Sequence, residues 1–361
     1  MDDLRHPLIV RILRGLTAAL FLAAGAAGVS AQDAIGSISY LEGTVSMVRD
    51  GADVDNVAIG QDVQSFDLVK TGSDGKAELA ITSTKLPPMT IKMSADTQFS
   101  VEVALADGKQ ESTIGIMGGQ IALKVSKLLS NQSVKVRSDS AVMGVRGTDF
   151  TVTAPESGDV LVTCDEGTVV VTDEQGKDLT AIPGTVVEQQ PGTVYRTVPV
   201  AAAGLEAYRT QWRDERSRFV QANALRLIQV NARLYRQLSA EFNTAHQELA
   251  RNQQITRKWA FEDRAGKVGS AVELLRERRT MGALIQRMRR TAFRLERVSF
   301  RLERLQALHD RGVGQGTIDG GESTKVFFAQ IARERSDVNK KLALTRWVTK
   351  QYLKRNEGRL P

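Results

Sequence analysis

The chain has 361 residues, of which 42% are hydrophobic and 25% are charged, and its formal net charge is +7. These values are typical of globular proteins and argue against a disordered or fibrous chain. No apolar run reaches the roughly 18 to 20 residues that a membrane-spanning helix requires, so we expect no transmembrane span in the mature chain. The length predicts two domains of ordinary size.

Residues 1–31 have the pattern of a secretory signal peptide. Three arginines precede a short apolar stretch that ends at Val29-Ser30-Ala31, and small residues there fit the usual cleavage rule. The pattern predicts a mature protein that begins at Gln32 and is exported to the periplasm or cell envelope. An uncleaved N-terminal anchor is the alternative.

The chain has one cysteine, Cys164, so no intramolecular disulfide is available to stabilise the exported protein. Cys164 belongs to an alternating apolar run. The run predicts a buried position within a strand, where a thiol packs as a small apolar group. A reactive thiol or an intermolecular bridge is the alternative.

Residues 36–200 are predicted to form an all-β domain. Short runs such as Ile121, Leu123 and Val125 alternate with other residues, which is the period of a strand with one buried face. Turn signals such as Asp50-Gly51 and Asp107-Gly108 separate these runs. The spacing favours a β-sandwich, a small barrel or a β-solenoid-like fold over alternating βα units, and it does not distinguish among these three.

Residues 204–356 are predicted to form an all-α coiled-coil bundle, because residues 200–360 contain no proline and the apolar period changes to threes and fours. Helices are predicted near 220–249, 265–308 and 323–354. A glycine-rich interhelical turn at 312–321 precedes the third. Such helices must pack as an antiparallel bundle or form a homo-oligomer.

A heptad is repeated within the second predicted helix, from Phe293 to Ser299 and again from Phe300 to Gln306. Its apolar positions predict a coiled-coil seam flanked and widened by the two phenylalanines. The seam residues are Leu295, Val298, Leu302 and Leu305.

The two halves carry opposite charge. Residues 32–200 contain 13 Lys and Arg against 23 Asp and Glu, whereas residues 201–361 contain 33 against 17. Five arginines recur along one side of the second helix and form what we call the arginine ridge: Arg290, Arg294, Arg297, Arg301 and Arg304. Four interpretations are open: a solvated coiled-coil face, docking onto the acidic β domain, binding of an anionic envelope polymer or lipid headgroup, and, least favoured in an exported protein, binding of nucleic acid.

The residue types needed for catalysis are sparse. The chain has three histidines and one cysteine, and no spacing of these residues matches a zinc site or a nucleophile with its base. The sequence therefore predicts a protein that is not an enzyme and has no metal or cofactor. A cell-wall-acting enzyme with an unrecognised site is the competing hypothesis.

One segment carries a family resemblance: Gly144, Val145, Arg146, Gly147, Thr148, Asp149 and Phe150. This GVRGTDF motif resembles the most recognisable part of the FecR domain. The stretch from Val69 to Leu79 is similar to the family's early hairpin, V-x-T-G-x-D-G-x-A-E-L. Together with shorter matches, the resemblance covers roughly residues 36–195.

The resemblance implies a non-catalytic β domain that senses or binds other molecules, because the namesake proteins are membrane regulators that relay an outer-membrane transport signal to a sigma factor. Those regulators begin with a cytoplasmic anti-sigma segment, whereas a signal peptide is predicted here. We therefore expect an envelope binding, sensing or scaffolding module whose helices oligomerise or tether. A transmembrane signalling regulator is an alternative.

The motif also has a physical interpretation without the family. Two glycines three residues apart within a strand pattern indicate a bulge, with Val145 and Phe150 in the core. Arg146 and Asp149 are predicted to fix the bend by pairing. A contact surface centred on Arg146 is the alternative, and the expected partner is an envelope protein or an anionic envelope polymer.

Overall fold

The computed structural model describes residues 34–84, 86–106, 109–145 and 147–361. The predicted signal peptide, the Asp107-Gly108 turn and Arg146 lie outside the described residues. Strands occupy residues 34–199 and helices occupy residues 202–355, which confirms an all-β region followed by an all-α region. Residues 34–361 form one compact unit.

Seventeen strands are found among the described residues. They are β1 Ala34–Glu42, β2 Val45–Arg49, β3 Ala52–Asp53, β4 Asp62–Gln64, β5 Leu68–Thr71, β6 Lys76–Ile81, β7 Met89–Met93, β8 Gln98–Ala106, β9 Lys109–Val125, β10 Gln132–Arg137, β11 Ala141–Val145, β12 Asp149–Ala154, β13 Val160–Glu166, β14 Val169–Asp173, β15 Asp178–Ala181, β16 Thr185–Gln190 and β17 Val194–Pro199.

The strands join into one open sheet that folds over at β9 into two layers. The first layer has the order β4-β1-β6-β7-β9-β12-β13-β16-β17. The second has the order β3-β2-β5-β8-β9-β10-β11-β14-β15. Because the sheet does not close, the structure excludes the small-barrel alternative.

The strand β9 belongs to both layers. Residues 109–118 pair with β8, and residues 119–125 pair with β7 and β12. The strand changes layer at Gly118 and Gly119, where Gly119 has φ of +95°, a conformation that favours glycine.

Buried and less buried residues alternate along the strands, which explains why the two layers pack face to face. Along β6, Ala77, Leu79 and Ile81 are buried while the intervening residues are not, as a half-buried strand requires. Leu79 of the first layer and Phe99 of the second belong to the same apolar core. This architecture is closest to the predicted β-sandwich.

Five helices follow: α1 Leu205–Ala222, α2 Ala224–Arg251, α3 Gln253–Arg264, α4 Ala271–His309 and α5 Thr324–Arg355. The predicted first helix proves to be the middle part of a longer arrangement in which α1, α2 and α3 follow one another directly. The breaks occur at Asn223 and Asn252, both with non-helical backbone angles. The side-chain amide of each bonds a carbonyl four residues back.

The helices pack on one another and on the sheet. The predicted seam of α4 is buried against α2 and α5. A second helical core surrounds Trp259 of α3. Trp212 of α1 packs with Leu161 and Val186 of the first layer, so the helical region shares apolar contacts with the β region.

Candidate functional site

The acidic β region and the basic helices bind each other through ion pairs. Among the described residues, seven β-region carboxylates contact cationic side chains of the helices: Asp50, Asp96, Glu102, Asp139, Glu156, Asp159 and Asp165. Part of the opposite charge of the two halves is thus neutralised within one chain.

The C-terminal part of the arginine ridge binds three of these seven carboxylates through four ion pairs. Arg297 and Arg301 both bind Asp139, at 2.8 and 2.7 Å. Arg304 binds Asp96 at 2.5 Å and Glu156 at 3.1 Å. Docking onto the β region, one of the four interpretations left open by the sequence, therefore describes these three arginines.

Asp139 holds two buried cations, since Arg297 and Arg301 are 5% and 8% exposed. Burial alone would raise the pKa of Asp139, but Arg301 and Arg297 outweigh it and the pKa is lowered. Burial lowers the pKa of Arg297 to about 10; Asp139 opposes this shift, and Arg301 and Arg137 add to it. One carboxylate thus faces an excess of positive charge.

Two aromatic side chains of the heptad repeat contact β9 instead of widening the helical seam. A Cβ built at Gly115 would lie 2.5 Å from Cε2 of Phe293, and one at Gly118 would lie 2.6 Å from Cε1 of Phe300. The two rings border the predicted seam along the helix and pack against the sheet. The repeat gives α4 two buried faces, with leucines toward the helices and phenylalanines toward the sheet.

Phe293 lies between two guanidinium groups, those of Arg297 at 4.6 Å and Arg137 at 4.9 Å from the ring centroid. Such cation–π contacts are attractive, and for Arg137, which has no carboxylate partner among the described residues, this contact takes the place of an ion pair. Desolvation of the Arg137 guanidinium, together with Arg289 and Arg290, lowers its pKa. Arg137 comes from β10, so the β region contributes its own cation to the helical ones.

Three cations of this region have no ionic partner among the described residues, and we call them the open arginine cluster: Arg137, Arg290 and Arg294. All three are exposed. They line two grooves, of about 360 Å³ and about 390 Å³, that share Arg137. Asp173 and Glu174 lie on the second groove, where the Asp173 carboxylate accepts bonds from the backbone N–H groups of Gln175 and Lys177. An anionic ligand would meet unpaired guanidinium groups there.

The motif from Gly144 to Phe150 lies where the chain passes from the second layer to the first. Gly144 and Val145 end β11, and Phe150 of β12 is fully buried. Gly147 has φ of +61°, and Thr148 accepts a hydrogen bond from the Val125 N–H at 2.9 Å. The described part of the motif thus forms a corner between layers.

Asp149 of the motif lies 3.9 Å from Lys124, on the neighbouring strand β9. Its predicted partner, Arg146, lies outside the described residues, so that pairing stays a prediction. The residues that sequence reasoning missed are Arg137 and Asp139. Arg137 is the last residue of β10 and Asp139 lies in the turn that follows, where charged residues are common, and only the position of α4 distinguishes them from other charged turn residues.

Comparison with known proteins finds one family match within the β region. Residues 67–170 match the family described as FecR protein. The chain thus contains a FecR domain, which confirms the resemblance, over a shorter range than the motifs suggested. The matched segment includes Arg137, Asp139 and the GVRGTDF motif. No curated protein matches the chain.

Two crystal structures of a candidate anti-sigma factor from Parabacteroides distasonis are similar to part of the chain. They match 39% and 38% of it at 16% identity, with TM-scores of 0.32 and 0.25. The matches span 63% and 57% of those chains, which is less than two thirds of their length.

The described residues contain no group of three or more His, Cys, Asp or Glu side chains placed to hold a metal ion. None of their helices has the length and apolar character needed to cross a bilayer.

Proposed function

We propose that the protein is an exported, non-catalytic regulatory module of the cell envelope that binds an anionic partner through the open arginine cluster. The FecR domain supports a regulatory role, since that family comprises regulators. Export rests on the predicted signal peptide. The helices bind the FecR domain and stabilise it. We also expect their outer faces to support oligomerisation or tethering.

The observation that carries this proposal is the set of three exposed arginines without ionic partners. Arginine presents a planar set of donors that matches carboxylates and phosphates. The ion pairs of Arg297 and Arg301 with Asp139 hold the helix that presents Arg290 and Arg294 against the β region. The cluster therefore offers a preorganised cationic surface at the junction of the FecR domain and the helices.

The expected partner is a polymer or a protein surface that carries several carboxylates or phosphates. A single small anion would leave the two grooves largely unfilled, whereas an extended acidic segment would contact both. Attraction of this kind weakens as salt rises, because surface charges are screened beyond about 10 Å at 0.1 M ionic strength.

The experiment measures binding of poly-glutamate and of polyphosphate by titration calorimetry, at low and physiological salt. The double variant Arg290→Glu with Arg294→Glu should weaken binding at least about tenfold. Arg226→Glu with Arg333→Glu makes the same change of net charge at two other exposed helical positions and should retain binding to within about twofold. Equal loss in both double variants would show only a net-charge effect and contradict the proposal.

In-cell crosslinking then identifies the natural partner. A defined envelope component should be captured by the unaltered protein and by the Arg226→Glu, Arg333→Glu control, and lost with the cluster variant. Capture that is identical in all three would remove the arginine cluster as the binding surface. Fractionation with N-terminal sequencing tests export, for which Gln32 is the expected first residue.

A further inference from the structure

The junction of α3 and α4 carries large apolar side chains that no other part of the described chain covers. Phe261 is 67% exposed, Val268 55%, Val272 72% and Leu275 49%. They lie within fifteen residues of sequence, at the end of the helical region where the chain reverses. A cluster of this kind on a folded protein indicates an interaction surface.

The same junction carries six exposed cations. Arg278 donates to the side-chain oxygen of Asn356, and the other five are Arg257, Arg264, Lys267, Arg276 and Arg279. None of them has an ionic partner among the described residues. The acidic side chains nearby are already paired: Glu273 and Glu277 bind Lys258 at 2.8 and 2.9 Å, and Asp263 binds Lys354 at 2.8 Å. The outward charge of the junction is therefore strongly positive.

Helical spacing places the apolar and cationic residues on outward faces. In α3, Lys258, Trp259 and Glu262 face the other helices, where Trp259 donates to Glu277 at 2.7 Å. Arg257 lies four residues before Phe261, and Arg264 lies three residues after it. These three side chains therefore share the side of α3 that faces away from the other helices.

The same spacing holds at the start of α4. Val272 and Leu275 are three residues apart. Arg276 follows Val272 by four residues, and Arg279 follows Leu275 by four. Met281, Leu284 and Ile285 occupy the inward face. We call the two outward faces and the intervening loop the basic apolar junction.

We propose that the basic apolar junction docks on a membrane surface rich in anionic phospholipid. Apolar side chains flanked by lysines and arginines suit an interface where acyl chains lie beneath negative headgroups. A second copy of the chain would bring five unpaired cations against five others, which disfavours self-association. A nucleic acid would use stacking aromatic rings, and the junction offers one exposed ring, Phe261, beside three aliphatic side chains.

The test uses the chain from Gln32 onward, which contains all the cores of the described fold and omits the apolar N-terminal stretch. Binding is measured by cosedimentation with extruded vesicles of phosphatidylcholine alone or with 30% phosphatidylglycerol, at 0.1 M and 0.5 M salt. We expect binding only to the anionic vesicles, and weaker binding at high salt.

Two sets of variants separate charge from apolar contact. Arg264→Gln, Lys267→Gln and Arg276→Gln together should weaken binding about a hundredfold, at about fivefold for each cation. Phe261→Ser with Val272→Ser should weaken it at least about tenfold. The controls are Val326→Ser, at an exposed apolar position of α5, and Arg226→Gln with Lys325→Gln and Arg333→Gln, which removes three charges from other exposed helical positions. Both should retain vesicle binding.

Three results would overturn the proposal: equal binding to neutral and anionic vesicles or none to either, unchanged binding by the junction variants, and a dimer in sedimentation velocity that those variants abolish. The last would assign the surface to self-association. Because the open arginine cluster and the junction are altered by separate variants, failure of one proposal is distinguishable from failure of the other.

Discussion

Gly115 and Gly118 of β9 accommodate the two phenylalanine rings by which α4 contacts the sheet. Alanine at Gly115 would place its Cβ 2.5 Å from Cε2 of Phe293, which forces the ring or the helix to move. We expect Gly115→Ala to lower the free energy of unfolding by about 1–3 kcal/mol, the usual cost of overpacking. Urea unfolding measures it.

Gly144→Ala is the matched control, because a Cβ at Gly144 on β11 has its nearest neighbour, the carbonyl oxygen of Val170, at 4.0 Å. This variant should stay within about 0.5 kcal/mol of the unaltered protein. Combining Gly115→Ala with Phe293→Leu should restore part of the loss. Equal effects of the two alanine substitutions would mean that Phe293 does not fill the space at Gly115.

Cys164 is a residue whose chemistry follows from its position in β13. The thiol is 1% exposed and bonds the Glu166 carbonyl at 3.3 Å. Burial raises its pKa to about 11, and Asp165 adds to the shift. At pH 8 about one thiol in a thousand is ionised, so a disulfide reagent should label the native protein very slowly and the urea-unfolded protein at once. Rapid labelling of the native protein would contradict burial of this strand.

His246 is expected to make the free energy of unfolding depend on pH. It bonds Thr345 of α5 at 3.1 Å, and burial lowers its pKa to about 4, with Lys341 adding to the shift. Between pH 6.5 and 4 the unfolded chain binds a proton that the folded chain does not, so stability falls as pH falls through this window.

The loss between pH 7 and pH 5 should be about 1 kcal/mol, less than the full shift would give because the ring is partly exposed. The partners Lys258 and Ser270 lower the pKa of Glu273 to about 2, so the stabilisation from this carboxylate is present at neutral pH and is lost mainly as pH falls below 4.5. Urea unfolding at the two pH values should show the loss in the unaltered protein and not in His246→Gln. The same loss in both would assign it to other groups.

At the scale of elements, α4 shows what a sequence period reveals and what it leaves out. The seam of Leu295, Val298, Leu302 and Leu305 was predictable, since spacing by threes and fours identifies a buried stripe whatever covers it. The destination of Phe293 and Phe300 was not predictable. They border the seam on the helix, and only the glycines of β9 in three dimensions show that the sheet accommodates them.

Asp139 supplies the counter-charge for two buried arginines of α4. Asp139→Asn would leave Arg297 and Arg301 buried without a counter-charge. We expect a loss of about 2–3 kcal/mol in the free energy of unfolding, below the usual cost of breaking a fully buried pair because Asp139 is 31% exposed.

The control is Asp149→Asn, which makes the same chemical change on the same region. Asp149 lies 3.9 Å from Lys124, whose side chain is 73% exposed, so the loss should stay below about 0.5 kcal/mol. If Asp139→Asn lost as little stability as this control, the packing of the arginine ridge on the β region would not depend on the β-region carboxylates.

At the scale of the whole molecule, opposite net charge of the two halves was readable from composition, and so was the order of β region and helices. Their contact was not readable, because net charge does not specify which carboxylate meets which guanidinium. The two-layer arrangement was also undetermined, since alternation along a strand reports one buried face without identifying the strand opposite. Asp96 and Arg304 are 208 residues apart in sequence, and only the fold brings them to 2.5 Å.

The central claim is that the helices and the FecR domain form one cooperative structure. Two intrinsic probes test it most directly: all three tryptophans, Trp212, Trp259 and Trp347, are in the helical region, and the one cysteine, Cys164, is in the β region. Urea unfolding is followed by tryptophan fluorescence and by pulse labelling of Cys164. We predict coincident transitions, as expected for a two-state unit, that shift together in Asp139→Asn. Separate midpoints, with Cys164 still protected after the tryptophan transition is complete, would contradict the claim.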